Sequence, residues 1–129
     1  MSRGDHKYSE DWFKIGNREL KRAEILSKWG DISGAALNIQ QALEKYLKGY
    51  LLSYGWKLRK IHDLEILLND TIGFDPSFEE FRASCQKITQ YYLEERYPVS
   101  TSSELNEDEI IMAMKITKKI ISRIKRKIK

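Results

Sequence analysis

Apolar residues recur at helical spacing along nearly the whole chain. Trp12, Gly16, Leu20 and Ala23 share one face, flanked by Phe13, Ile15 and Leu26, and predict a first helix ending near Trp29–Gly30. Ser9 has the character of its N-cap, with Tyr8 and Phe13 at the spacing of a hydrophobic staple. Asp31 caps a second helix from about Ile32 to Tyr54, and Gly55 supplies a left-handed stop. Its main apolar face holds Ala35, Ile39, Ala42, Leu43, Tyr46, Leu47 and Tyr50. A basic loop leads into a short third helix that opens near His62 or Asp63 and ends at Gly73. Asp75 and Pro76 start a fourth, striped by Phe78, Phe81, Cys85, Ile88 and Tyr92 and stopped by Pro98. Asn106 and Glu109 have capping-box spacing ahead of a last helix striped by Ile110, Ala113, Met114, Thr117, Ile120, Ile121, Ile124 and Ile128. No hairpin signal or repeat appears. The pattern predicts an all-α, five-helix antiparallel up-and-down bundle, one domain over residues 1–129 with its core at about 9–128.

The second helix departs from simple amphipathicity. Leu37, Leu51 and Leu52 fall in the same sector as Gln40, Gln41, Glu44 and Lys48. Leucines on a polar face need a cover, supplied either by another helix of the same chain or by a second subunit. Glutamines suit either, because they hydrogen-bond across an interface without burying charge. A twofold homodimer is the default geometry for a self-complementary patch.

Composition sharpens this in three ways. Charged residues make up 33% of the 129, above the usual ~25%, so exposed helix faces must be heavily charged. The net charge of +4 is unevenly placed: residues 115–129, "KITKKIISRIKRKIK", carry only basic charge, and the remainder is mildly acidic. No apolar run approaches the ~18 residues of a membrane span, and the N-terminus lacks a signal core, so a cytoplasmic protein without membrane association is expected. The lone Cys85 reads as a buried thiol. No Cys/His cluster or Gly-rich phosphate loop is present in the sequence, so no metal and no cofactor are expected.

Three stretches, "NIQQALEKYLKGYLLSYG", "KIHDLEILL" and "YYLEERYP", resemble the HEPN domain family in order and spacing. The resemblance spans roughly residues 9 to 128 and implies a five-helix bundle. It further implies a homodimer and a partner nucleotidyltransferase encoded separately, often as a toxin–antitoxin pair. Several members of the family are metal-independent endoribonucleases that use an Arg, four to six residues and then a His at the dimer cleft; others bind nucleotides or support a partner. This chain departs from the nuclease pattern. Before His62 the required positions hold Gly55, Trp56 and Lys57, and Lys57 lacks the planar fork that grips phosphate in two places. After Arg96 they hold Thr101, Ser102 and Ser103. Asn38 and Ile61 also replace the His and Thr common in relatives.

Four groups are candidates for ligand contact, each with a plain structural reading beside it. His62 and Asp63, next to Lys57, Arg59 and Lys60, can meet a phosphate or base; His is the side chain that titrates near pH 7, and the plain alternative for Asp63 is a helix cap. Arg96 and Tyr97 offer a guanidinium and a stacking ring, or pair locally with Glu94 and Glu95. Gln40, Gln41, Lys45 and Lys48 line a dimer cleft, or form a solvated face with Glu44–Lys48 as an i,i+4 pair. The basic tail suits nucleic acid, or the negative end of a helix dipole. The reading that follows is a nucleotide- or RNA-binding module of a nucleotidyltransferase pair, without the usual ribonuclease motif. His62 and Arg96 are the weak catalytic candidates. The rivals are an endoribonuclease with an altered site and a purely structural adaptor.

Overall fold

The computed structural model describes residues 3–96 and 106–128. They form five α-helices: α1 (Arg3–Lys28), α2 (Ile32–Ser53), α3 (Leu64–Phe74), α4 (Arg82–Arg96) and α5 (Glu107–Ile128), with a 3-10 turn, Pro76–Phe81, leading into α4. The fold is the expected all-α five-helix bundle.

Helix α2 is the hub and packs against all the others. Its seven predicted core residues are each at most 1% exposed. It lies antiparallel on α1, and two glycines set how close the axes come. A Cβ on Gly16 would sit 2.6 Å from the Tyr46 ring, and one on Gly49 would sit 2.5 Å from the Phe13 ring. Phe13 and Tyr46 stack in the space thus left, with ring centroids 5.2 Å apart. Asp31 caps α2 by accepting from the Gly34 amide at 2.9 Å, and Gly30 (φ +79°) and Gly55 (φ +82°) take the left-handed turns at its two ends.

After Gly55 the chain turns back beside α2. The Trp56 indole donates to Asp70 of α3 at 3.1 Å, and Arg59 lies 3.6 Å from the same carboxylate. The return brings His62 level with Gln40 and Glu44. Helix α3 then ends with Phe74 stacked on Tyr54. Asn106 and Glu109 close the capping box of α5 as expected, the Glu109 amide donating to Asn106 at 2.9 Å. The α5 stripe from Ile110 to Ile124 is buried, while Ile128 is half-buried.

Four expectations need correction. The chain is already helical at Arg3, so Ser9 is an internal, buried residue and not a cap; no proline interrupts residues 3 to 9, and Gly4 costs a helix only ~1 kcal/mol. Gly73 is helical, and α3 is closed instead by the Asp75 amide on Thr71 O at 2.8 Å. The fourth helix opens as a 3-10 turn because Phe78 and Phe81, three apart, both enter the core, which a three-residue period allows. Finally, Leu51 and Leu52 are covered within the chain (0% and 7% exposed), and Leu37 is half-buried. For Leu51 and Leu52 the same-chain cover is the correct alternative, and they give no support to a second subunit. The expectations for the Arg96 and Tyr92 side chains, for Tyr97, for Pro98 and for the loop through Ser103 fall outside the described residues.

Candidate functional site

The polar face of α2 is folded inward. Gln40, Glu44 and Lys48 recur every four residues, so they stack along one side of the helix, and each is 5% exposed or less. Glu44 is the centre. Its Oε2 receives Lys48 Nζ at 3.2 Å, His62 Nδ1 at 3.2 Å and Lys45 Nζ at 3.7 Å. Lys45 reaches in turn to Glu19 of α1 at 3.4 Å, and Lys48 lies 5.4 Å from the centroid of the Trp12 ring. Two carboxylates and two ammonium groups thus balance in a partly dry seam, the arrangement that lets buried charge survive. Burial pushes the Glu19 carboxyl above its ordinary value, against the pull of Lys45. Two acceptor atoms in this seam, Glu19 Oε2 and Gln40 Oε1, have no donor among the described residues.

The seam fixes a surface histidine. Gln40 Nε2 donates to the His62 carbonyl at 3.2 Å, and Glu44 meets Nδ1. The imidazole itself is 81% exposed. A carboxylate on Nδ1 favours the tautomer that carries its proton there, which leaves Nε2 as the free acceptor facing solvent. Lys57, Arg59 and Lys60 stand on the exposed loop just before it. This group can hold an anion and can accept a proton at one defined atom.

The predicted site residues therefore divide. Gln40, Glu44 and His62 come together, with Lys45 and Lys48 behind them. Within one chain Gln40 and Glu44 hold the 57–62 loop through His62, Lys48 stands behind Glu44, and Gln41 is half-buried on the same turn. Asp63 takes the plain role, capping α3 by accepting from the Glu65 amide at 2.8 Å. Arg59 is exposed beside Asp70, outside the Glu44 network. Sequence reasoning missed Glu19, placed Trp12 on the core face of the first helix, and saw Glu44 as part of the mixed polar face and as the i,i+4 partner of Lys48. The available signal was the charge of Glu44 amid three leucines on a helix covered on two sides. Among the described residues no group of three or more His, Cys, Asp or Glu side chains is placed to hold a metal. Nor is any helix long and apolar enough to cross a membrane.

Comparison with known proteins agrees with this architecture. The crystal structure of TT1696 from Thermus thermophilus is similar with a TM-score of 0.78 at 25% identity, covering 92% of this chain and 97% of that one. The structure of ST0689, described as an archaeal HEPN homologue, gives 0.75 at 25% identity over 94% and 98%. No curated protein matches. The model of the HEPN domain matches residues 9–127, and the chain belongs to the HEPN domain family.

Proposed function

We propose that this HEPN protein is a nucleotide- or RNA-binding module, working as a homodimer with a separately encoded nucleotidyltransferase in a toxin–antitoxin-like pair. The observation that supports binding is the contact of His62 Nδ1 with the buried Glu44 carboxylate at 3.2 Å. Together with the Gln40 bond to the His62 carbonyl, it holds a solvent-facing imidazole beside Lys57, Arg59 and Lys60. Phosphate oxygens accept from the lysines and the arginine, a sugar hydroxyl or base N–H donates to His62 Nε2, and the loop presents these groups without an intervening acidic side chain of its own. Gln40, Lys45 and Lys48 then act by positioning, and Arg59 and His62 by contact. Gln41, Arg96 and Tyr97 remain candidates from the family resemblance. The partner enzyme and the homodimer rest on that resemblance too, and a cytoplasmic setting is part of the same proposal.

The test is titration of labelled RNA into the purified chain without divalent metal. Binding should weaken as salt rises, because released counterions drive it. His62→Ala and Lys60→Ala should each weaken it severalfold while the RNA stays intact. Salt-independent binding, or none, would remove the proposal.

The Glu44–His62 pair also favours a second reading, a ribonuclease in which His62 Nε2 takes the attacking hydroxyl proton. Cleavage in the same tubes, lost in His62→Ala, would put that reading first.

A further inference from the structure

The far end of α2 carries a second surface, built from residues outside the His62 contact. Tyr54 and Phe74 stack with centroids 4.9 Å apart and planes within 18°, yet they remain 43% and 45% exposed. Tyr50 supports the pair from below, meeting Tyr54 edge-on at 5.2 Å. The hydroxyl of Tyr50 donates to Asp75 Oδ2 at 3.0 Å, so the Tyr54 hydroxyl, 3.0 Å away, donates to Tyr50. Lys127 lies 3.4 Å from the same Asp75 oxygen. This chain of contacts sets Lys127, in the basic last turn of α5, at the edge of the aromatic pair.

The other edge is the 55–62 return. Asp70 and Asp75 lie on the two flanks, and each already has a cation, Arg59 and Lys127 respectively, while Asp63, next to His62, caps α3. Lys57 and Lys60 are exposed and have no acidic partner among the described residues. An open aromatic surface thus lies between two cationic borders, and one border leads directly to His62.

We propose that Tyr54 and Phe74 are a stacking platform for a base of single-stranded nucleic acid, whose backbone follows residues 57–60 to His62. The proposal rests on the reading of His62 as a nucleotide or RNA contact, and it makes the ligand a strand rather than a mononucleotide. Charge complementarity selects a polyanion, and exposed rings select one with free planar faces. A duplex hides those faces inside its stack. Length agrees. Glu44 and Tyr54 stand about 15 Å apart along α2, and a strand rising ~3.4 Å per stacked nucleotide covers that with about four.

The experiment is a set of anisotropy titrations with labelled octauridylate, competed by UMP or by a blunt RNA duplex. The chains are wild type, Phe74→Ala, Phe74→Leu, Tyr54→Phe and His62→Ala, each checked for helicity by circular dichroism. Loss of the Phe74 ring should weaken octauridylate binding by about 5- to 150-fold and leave UMP competition at the wild-type level. Phe74→Leu, which keeps apolar bulk without a ring, should show the same loss. Tyr54→Phe keeps its ring and should bind like wild type. Unchanged octauridylate binding in both Phe74 variants would overturn the platform; if His62→Ala still weakens binding, the function proposed above stands without it. Duplex competing as well as single strand would overturn stacking. So would a wild-type dimer that Phe74→Ala dissociates, since a second copy would then own this face. Absence of any RNA binding would remove both proposals together.

Discussion

The imidazole Nδ1 of His62 lies 3.2 Å from Glu44 Oε2, although one side chain is 81% exposed and the other 6%. A surface loop is thus anchored to a charge that belongs to the interior. The same carboxylate neutralises Lys48, whose side chain is only 4% exposed.

This asymmetry predicts unequal mutants. Glu44→Ala strands the Lys48 ammonium in a dry site and should cost about 3–5 kcal/mol, the usual penalty for breaking a buried pair from one side. Lys48→Met removes the charge and keeps the bulk, while Glu44 retains Lys45 and His62. Its cost should be less than half as large. Urea unfolding of the two variants measures both, and equal losses would show that Glu44 is not the centre of the cluster.

Glu19 gives a pH dependence with a definite sign. Its carboxyl is pushed above the ordinary value of 4.5 by burial, more strongly than Lys45 pulls it back. The folded chain therefore keeps this proton to higher pH than the unfolded chain does. Stability from this group is present below 4.5 and declines as pH rises through the higher folded value. Glu19→Gln abolishes the titration. Thermal melts at about pH 4 and about pH 7 should show the variant gaining on wild type toward neutrality. A gain toward acid would contradict the burial argument.

Two helical glycines should respond in opposite directions to alanine. At Gly16 a methyl would meet Tyr46 Cδ2 at 2.6 Å and the Ala42 carbonyl at 3.3 Å, and the Tyr46 ring is fully buried. Overpacking of this kind costs about 1–3 kcal/mol, which exceeds the ~1 kcal/mol gained in helix propensity over most of that range, so Gly16→Ala should destabilise by up to about 2 kcal/mol. At Gly73 nothing lies within 4 Å of the added methyl. Gly73→Ala should therefore stabilise by about 0.5–1 kcal/mol. Denaturant midpoints for the two variants are the readout.

Cys85 is fully buried, and burial pushes its thiol up to about 12. Only the thiolate attacks a disulfide reagent. The native chain should react with a colorimetric disulfide at a rate set by unfolding, rising in step with urea. Fast labelling without denaturant would show that α4 opens locally.

The sequence by itself determined the helices and their order, because helical periodicity and caps are local properties. The 3.6-residue stripes located all five, and Asp31, Asp63, Asp75 and Asn106 act as the caps their side chains suggested. Where local reading failed, burial or a further hydrogen bond had overruled it. Ser9 could pass for a cap until its burial on the bundle placed it inside α1. Gly73 could pass for a stop until Asp75 closed α3 two residues later. Tertiary structure alone decided where the polar side of α2 points. Whether Glu44 faces water or a histidine from a loop 18 residues away depends on how residues 55–63 return, and no spacing encodes that path. The meeting of Tyr54, Phe74 and Lys127 was equally hidden. Hydrophobic pattern specifies which side of a helix is buried; the partner found there is set by packing the whole chain at once.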